Sequence, residues 1–201
     1  RFYIDEFAYY KNQLLFHTGN SCDPDCSSLV IYNLESKDIS SAIPIPKHQE
    51  GLNYGGLDLL TKTDHGVLVS QTFNNSTYLF KTGSVEPYLS YDAADHAIPN
   101  QDIFKGAKRD RLAFASKINQ FFQGPRRVLE TSNAVYVESN IDYGKNWSFF
   151  LKGSKNTFSS NSISLSDMKY LAFRTPKGVV FNQLAGTLDS DELNELKANL
   201  N

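Results

Sequence analysis

The feature that most constrains the fold is a short motif that occurs three times. Thr63-Asp64-His65-Gly66-Val67-Leu68-Val69, Thr131-Ser132-Asn133-Ala134-Val135-Tyr136-Val137 and Thr175-Pro176-Lys177-Gly178-Val179-Val180-Phe181 share one plan. Each runs from Thr through two turn-forming residues and a small residue into an apolar β run. Apolar stretches precede each copy, at Leu57 to Leu60, Arg127 to Leu129 and Tyr170 to Phe173. After the first two copies a further aromatic strand follows, Tyr78-Leu79-Phe80 and Trp147-Ser148-Phe149-Phe150. A degenerate copy opens the chain, where Tyr10-Lys11-Asn12-Gln13 turns into Leu14-Leu15-Phe16 and Leu29-Val30-Ile31-Tyr32 follows. Gly66 and Gly178 are expected at positive φ, which glycine adopts without steric cost.

Thr131 and Thr175 stand 44 positions apart, close to the ~40–50 residues of a propeller blade. Thr63 and Thr131 stand 68 apart, so an insertion is expected between them, at about 84–123. The predicted fold is mostly β, built from repeated antiparallel β-hairpins. It is propeller-like, with about four blade-like units, complete or not, in a single domain over 1–201. Within the insertion, Phe104, Ala107, Leu112, Ala115, Ile118 and Phe122 fall near helical spacing and predict a helix in 102–122. Leu112-Ala113-Phe114 and Gln120-Phe121-Phe122 also permit strands. Asp189 with Glu192 forms a capping box, and Leu193, Leu196 and Leu200 make one stripe, so a C-terminal helix is expected over 189–200.

Composition supports strands, since 14 Phe and 11 Tyr accompany many Val, Ile and Thr. A formal net charge of −2 gives no electrostatic case for nucleic acid. No apolar run approaches the ~18 residues of a membrane span. The chain starts at Arg1 rather than Met. A removed signal peptide, lipoprotein leader or anchor would account for that, as would a boundary chosen for expression. The two cysteines, Cys22 and Cys26, share one turn-rich segment. Their proximity suggests a disulfide closing a loop, which requires an oxidising compartment; two reduced, inert cysteines are the alternative. Two thiolates alone do not complete a zinc shell. The expected location is periplasmic or extracellular.

The most specific stretch is Asn140-Ile141-Asp142-Tyr143-Gly144-Lys145-Asn146-Trp147. It resembles the Asp-box, or BNR repeat, of sialidase-like β-propellers, whose pattern is Ser/Thr-x-Asp-x-Gly-x-x-Trp in a hairpin between two blade strands. Asp142, Gly144 and Trp147 match in spacing, while Asn140 departs from Ser/Thr. The resemblance implies a structural role. Asp142 would accept backbone N–H bonds across the turn, Gly144 would supply a left-handed residue, and Trp147 would fold beneath the turn. It implies a propeller-like build and no catalysis, because the Asp-box usually lies away from the catalytic face in that family.

A sialidase-like hydrolase needs three arginines around a carboxylate, a tyrosine paired with Glu, and an acidic proton donor. The arginines are Arg1, Arg109, Arg111, Arg126, Arg127 and Arg174, and none stands in that family's N-terminal arginine motif. Tyr136 and Glu138 share a strand face. Asp92, Asp95, His96 and Asp102 form an acidic cluster without the spacing of a metal loop, and a solvated loop is the simpler reading. His17, His48 and His65 stand apart, and no Gly-x-Ser-x-Gly elbow or phosphate-cradling Gly loop occurs. Asn74, Asn75 and Asn146 begin glycosylation sequons.

The functional expectation is therefore a non-catalytic exported binding or inhibitory protein without cofactor or metal. Its size and architecture resemble periplasmic immunity proteins that neutralise secreted effectors. Its partner would be a protein, held by Tyr88, Tyr91, Asp92, Asp95, Arg109 and Arg111 in the insertion, since Tyr and Arg are enriched at interface hot spots. The alternative is a sialidase-like carbohydrate-active enzyme or lectin.

Overall fold

The computed structural model describes residues 3–21, 26–52, 59–152, 156–160, 171–175 and 178–182. The chain is mostly β. It forms three four-stranded antiparallel meanders in chain order, then a two-stranded hairpin. The first sheet holds β1 (Glu6–Tyr10), β2 (Gln13–His17), β3 (Ser27–Asn33) and β4 (Ile39–Pro44). The second holds β5 (Leu60–Lys62), β6 (Val67–Ser70), β7 (Ser76–Lys81) and β8 (Ser84–Ser90). The third holds β9 (Pro125–Glu130), β10 (Ala134–Ile141), β11 (Gly144–Leu151) and β12 (Asn156–Ser160). The final hairpin pairs β13 (Leu171–Thr175) with β14 (Gly178–Asn182). The described sheets are open meanders, and no strand among them closes a barrel.

The Thr motif makes the same turn at the same place in successive sheets, between the first and second strands. Thr63 Oγ1 accepts from the amides of His65 and Gly66, each at 3.2 Å, and the Thr63 amide donates to Gly66 O at 2.8 Å. Thr131 Oγ1 accepts from Asn133 N at 3.4 Å and Ala134 N at 3.0 Å, and its amide donates to Ala134 O at 2.9 Å. In the third copy Thr175 pairs with Gly178 across the β13–β14 turn. A threonine hydroxyl thus satisfies turn amides that the ladder cannot reach.

Gly66 is required for a reason other than the expected one. It is not among the positive-φ glycines, but a Cβ there would lie 2.1 Å from Phe80 O. The constraint is the close approach of β7, not backbone handedness. The degenerate first copy turns differently, through Lys11 (φ 42°) and Asn12 (φ 59°). Positive φ at both central residues is the pattern of a type I′ turn, whose twist matches that of the strands it joins.

The sheets stack in series through two cores. Tyr10, Leu15, Leu29, Ile31 and Ile43 of the first sheet pack with Leu60, Val67, Val69 and Phe80 of the second. Leu68 and Leu79, on the opposite face of the second sheet, pack with Val128, Val135 and Val137 of the third. Side chains alternate along a strand, so β6 sends Val67 and Val69 one way and Leu68 the other. All four of its residues are buried, which explains its unbroken apolar run. Each such side chain contributes ~1.5–3 kcal/mol by leaving water. Polar ties cross the first junction: the Leu60 amide donates to Glu6 Oε2 at 3.0 Å.

The insertion begins later than expected. Ser84–Ser90 is the edge strand β8, so the inserted segment runs over 91–124. It contains two 3-10 turns, Ala94–His96 and Gln101–Phe104, and one helix, α1 (Arg111–Ile118). The helix is shorter than the predicted span because Asp110 caps it, accepting from Ala113 N at 2.9 Å. The strand reading of Leu112-Ala113-Phe114 is thereby excluded. Ile103, Phe104, Ala107, Phe114 and Ile118 gather over Leu52 and Phe73 into a small core of their own. The insertion is thus a folded knob rather than a solvated loop. Its exit is pinned where the Phe73 amide donates to Gln123 O at 2.8 Å. At Gly124 (φ +91°) a Cβ would sit 2.7 Å from Gln71 O. The expected helix over 189–200 lies outside the described residues.

Candidate binding knob and its basic pocket

The structure divides the six expected partner-binding residues. Asp92, Asp95, Arg109 and Arg111 are exposed on the knob. Asp92 Oδ1 also accepts from Ala94 N at 3.0 Å and shapes the first 3-10 turn. Tyr91 instead faces inward. Its ring lies 5.8 Å from that of Phe122, its hydroxyl bonds Thr77 Oγ1 at 2.8 Å, and it packs on the second core. Burial pushes its hydroxyl pKa far up, against the hydrogen bond to Thr77.

Tyr88, on β8, is 36% exposed. It donates its hydroxyl to Glu130 Oε1 at the end of β9, tying the second sheet to the third. Burial and that carboxylate push the Tyr88 pKa up to about 12. Glu130 is buried and also receives Lys152 Nζ.

The knob presents an exposed face that residue typing alone did not find. Leu112 on α1 is 86% exposed and Tyr143, in the β10–β11 turn, is 67% exposed. Tyr143 donates its hydroxyl to Ser116 O at 2.9 Å, and its amide donates to Asn119 O at 2.9 Å. That turn therefore buttresses α1 and places an aromatic ring beside it.

A cavity of 430 Å³ also lies against the knob. It lies between the Lys47–Gln49 3-10 turn and the segment Gln101 to Arg109. Lys47, His48, Phe104, Lys108 and Arg109 line it. Of these only Arg109 stood out in the sequence. No local signal marks Lys47 as its neighbour, because the two meet only through the fold.

Of the residues that a sialidase-like site would draw on, Arg126 and Arg127 lie on β9, and Tyr136 and Glu138 on β10. Arg126 donates to Asn140 Oδ1 at 3.2 Å, and Arg127 pairs with buried Glu138 at 3.9 Å, with Lys145 3.4 Å from the same carboxylate. Tyr136 is buried on the strand that carries Glu138. Arg109 and Arg111 are on the knob. Asp102 pairs with Lys105 at 2.9 Å, while His96 Nδ1 lies 3.3 Å from Gln120 O. Among the described residues no three His, Cys, Asp or Glu side chains gather as metal ligands do.

The Asp-box stretch forms the β10–β11 hairpin, with Ile141 paired to Gly144 and Glu138 to Trp147. Its left-handed residues are Asp142 (φ 49°) and Tyr143 (φ 60°), not Gly144. Asn140 accepts from Arg126, and Asp142 is exposed. The Trp147 side chain lies outside the described residues. Cys26 is disulfide-bonded, and Cys22, with which the sequence pairs it, also lies outside them. Among the described residues no helix is long and apolar enough to cross a membrane.

No family model matches this chain, and no curated protein matches it. Its structure is similar to the crystal structure of a "Putative exported protein" from Bacteroides fragilis NCTC 9343, with a TM-score of 0.62 and 16% sequence identity. The match covers 79% of this chain and 46% of that one. This chain thus spans under half of that protein's length, and the likeness is one of fold.

Proposed function

We propose that this chain is an exported, non-catalytic binding module that acts by occupying a protein partner, as an immunity protein occupies a secreted effector. The observation that carries the reading is the knob. A segment of 34 residues, 91–124, interrupts a regular series of sheets, folds over a small core that it shares with Leu52 and Phe73, and presents Asp92, Asp95, Arg109, Arg111 and Leu112 on its outer surface. Ordered insertions on a rigid scaffold are usual carriers of recognition, and a preformed knob loses little entropy on binding. Tyr91 drops out of the proposed contact, since its ring packs on Phe122 and the second core, while Tyr88 keeps a partly exposed ring beside the sheet edge. Leu112 and Tyr143 join Tyr88 as its apolar part.

Export is supported by the disulfide at Cys26 and by the fold likeness to a Bacteroides fragilis protein that is itself named as exported. A propeller-like build, with the Asp-box hairpin in its third unit, is supported by three meanders stacked face to face. The outer face of the first sheet also keeps Phe7, Tyr9 and Ile39 exposed, as a unit would if another sheet were meant to cover it.

The test takes a partner purified with the full chain and measures its affinity for Asp95→Ala, Arg111→Ala, Leu112→Ala and Tyr143→Ala, with Tm in parallel. At least one substitution should weaken binding ~tenfold, or ~1.4 kcal/mol, while Tm holds. Unchanged affinity in all four, or saturable cleavage of a sialoside by the purified chain, would overturn the reading.

A further inference from the structure

We propose that the pocket between the Lys47–Gln49 turn and the knob binds a small ligand carrying an oxyanion on a ring-shaped body. Its 430 Å³ falls within the ~300–1,000 Å³ of small-molecule sites. The lining holds four cations, Lys47, Lys105, Lys108 and Arg109, against one carboxylate, Asp102. Lys105 already takes Asp102 at 2.9 Å. Lys47, Lys108 and Arg109 have no ion-pair partner among the described residues. This excess stands in a chain whose net charge is −2, so it is a local feature and not a general basicity. Gathering like charges around one cavity costs Coulomb energy that a bound anion removes. The Arg109 guanidinium suits a planar or tetrahedral oxyanion bidentately, and the lysines add point charge.

The apolar part of the site is preformed. The rings of His48 and Phe104 lie 5.0 Å apart and form its floor. Phe104 is held from behind by Phe73 and Phe114, at 5.3 and 5.6 Å. Asn100 accepts from Asp102 N at 2.8 Å and fixes the Gln101–Phe104 turn. Lys108 lies over Gly51, where a Cβ would come 3.7 Å from Lys108 Cε. The His48 and Phe104 rings are held in place before binding, whereas the exposed Lys47, Lys108 and Arg109 side chains become ordered only when the anion binds. Carboxylate, sulfate and phosphate share the chemistry the pocket recognises. The site does not depend on the protein-partner reading, since a small anion can be bound whether or not the knob also engages a protein.

The experiment is calorimetric titration of the full chain at low salt with glucuronate, glucose 6-sulfate and glucose 6-phosphate, and with glucose and inorganic phosphate as controls. At least one charged sugar should bind with Kd of ~1 mM or tighter. Glucose should not bind, and inorganic phosphate should bind ~tenfold more weakly than the best sugar. Lys108→Gln and Arg109→Gln should each weaken that sugar ~tenfold, and His48→Ala should narrow the gap between sugar and inorganic phosphate. Tm should hold in the Lys108→Gln and Arg109→Gln variants, whose side chains are exposed. The proposal fails if no charged sugar binds, if glucose binds equally well, or if the Lys108→Gln/Arg109→Gln double variant binds unchanged. Equal affinity for inorganic phosphate and the sugars would overturn the ring contact.

Discussion

His17 Nε2 in the first sheet lies 2.9 Å from the carbonyl oxygen of Ser70 in the second. The side chain is fully buried, and its Nδ1 receives the Gly19 amide at 3.1 Å. An amide can only donate, so Nδ1 accepts and Nε2 carries the proton that Ser70 O receives. Both ring nitrogens are satisfied in the neutral form alone. Burial holds the His17 pKa below its ordinary 6.5, against opposing pulls from the Ser70 carbonyl and Asp5.

That arrangement predicts a pH dependence of stability. The unfolded chain takes up a proton at a pH where folded His17 does not, so acid favours unfolding. The contribution is full above pH ~6.5 and is lost as pH falls below it, by at most ~1.4 kcal/mol per pH unit. Urea unfolding between pH 7.5 and 5 should show the decline. His17→Gln should lower stability at pH 7.5 and flatten the slope. A slope identical in the two proteins would contradict the assignment.

Two glycines of the hairpin turns should respond oppositely to Ala. Gly66→Ala drives a Cβ to 2.1 Å from Phe80 O and forces β6 from β7, at a cost of ~1–3 kcal/mol or more. Gly144 lacks positive φ, and its nearest obstacle is Ile141 O at 3.7 Å. Gly144→Ala should therefore fall within ~0.5 kcal/mol of the parent. Denaturation midpoints of the two variants decide. A large loss at Gly144 would restore the left-handed role that the Asp-box resemblance implied.

The Thr turns should be interchangeable in energy. Thr63→Val and Thr131→Val each strand two turn amides at the same place in successive sheets. Each should cost ~0.5–1.5 kcal/mol, the net worth of a typical hydrogen bond, because most of these amides are exposed or only partly buried. Serine at either position should recover most of the loss. Chemical unfolding of the four variants tests this; a serine variant as weak as valine would remove the hydroxyl from the account.

How much of this was legible follows from how local each signal is. The Thr turn spans four residues, so its position and the hairpins that flank it are legible in the sequence, whereas the hydroxyl's role and the backbone at Gly66 are not. Residue types put the insertion start at 84 rather than 91, because β8 does not look like a strand. It is an edge strand, mostly exposed, and it carries Pro87, which edges tolerate. Asp110, which caps α1, stands among Lys108, Arg109 and Arg111, so residue type alone does not separate its capping role from a surface charge. Tyr91 was placed at an interface because composition cannot tell a ring that covers Phe122 from one that covers a partner. The pocket was invisible, since Lys47 and Lys108 are distant in the chain and meet only when the knob docks over Leu52 and Phe73.

Export to an oxidising compartment requires that Cys26 be oxidised in the native protein. Intact mass without reductant should be lower by two hydrogens than after reduction, and peptide mapping should place the bond between Cys22 and Cys26 within one chain. Two free thiols in freshly purified protein, or a bond between chains, would contradict it.

Hydrogen exchange of the full chain with and without its bound protein partner tests the central claim most directly. The account predicts new protection at exposed amides of the knob, 92–112, and in the Ile141 to Gly144 turn beside α1, with the β6 and β10 amides protected equally in both states. Protection confined to strand edges far from the knob, with 92–112 exchanging as in the free protein, would contradict it.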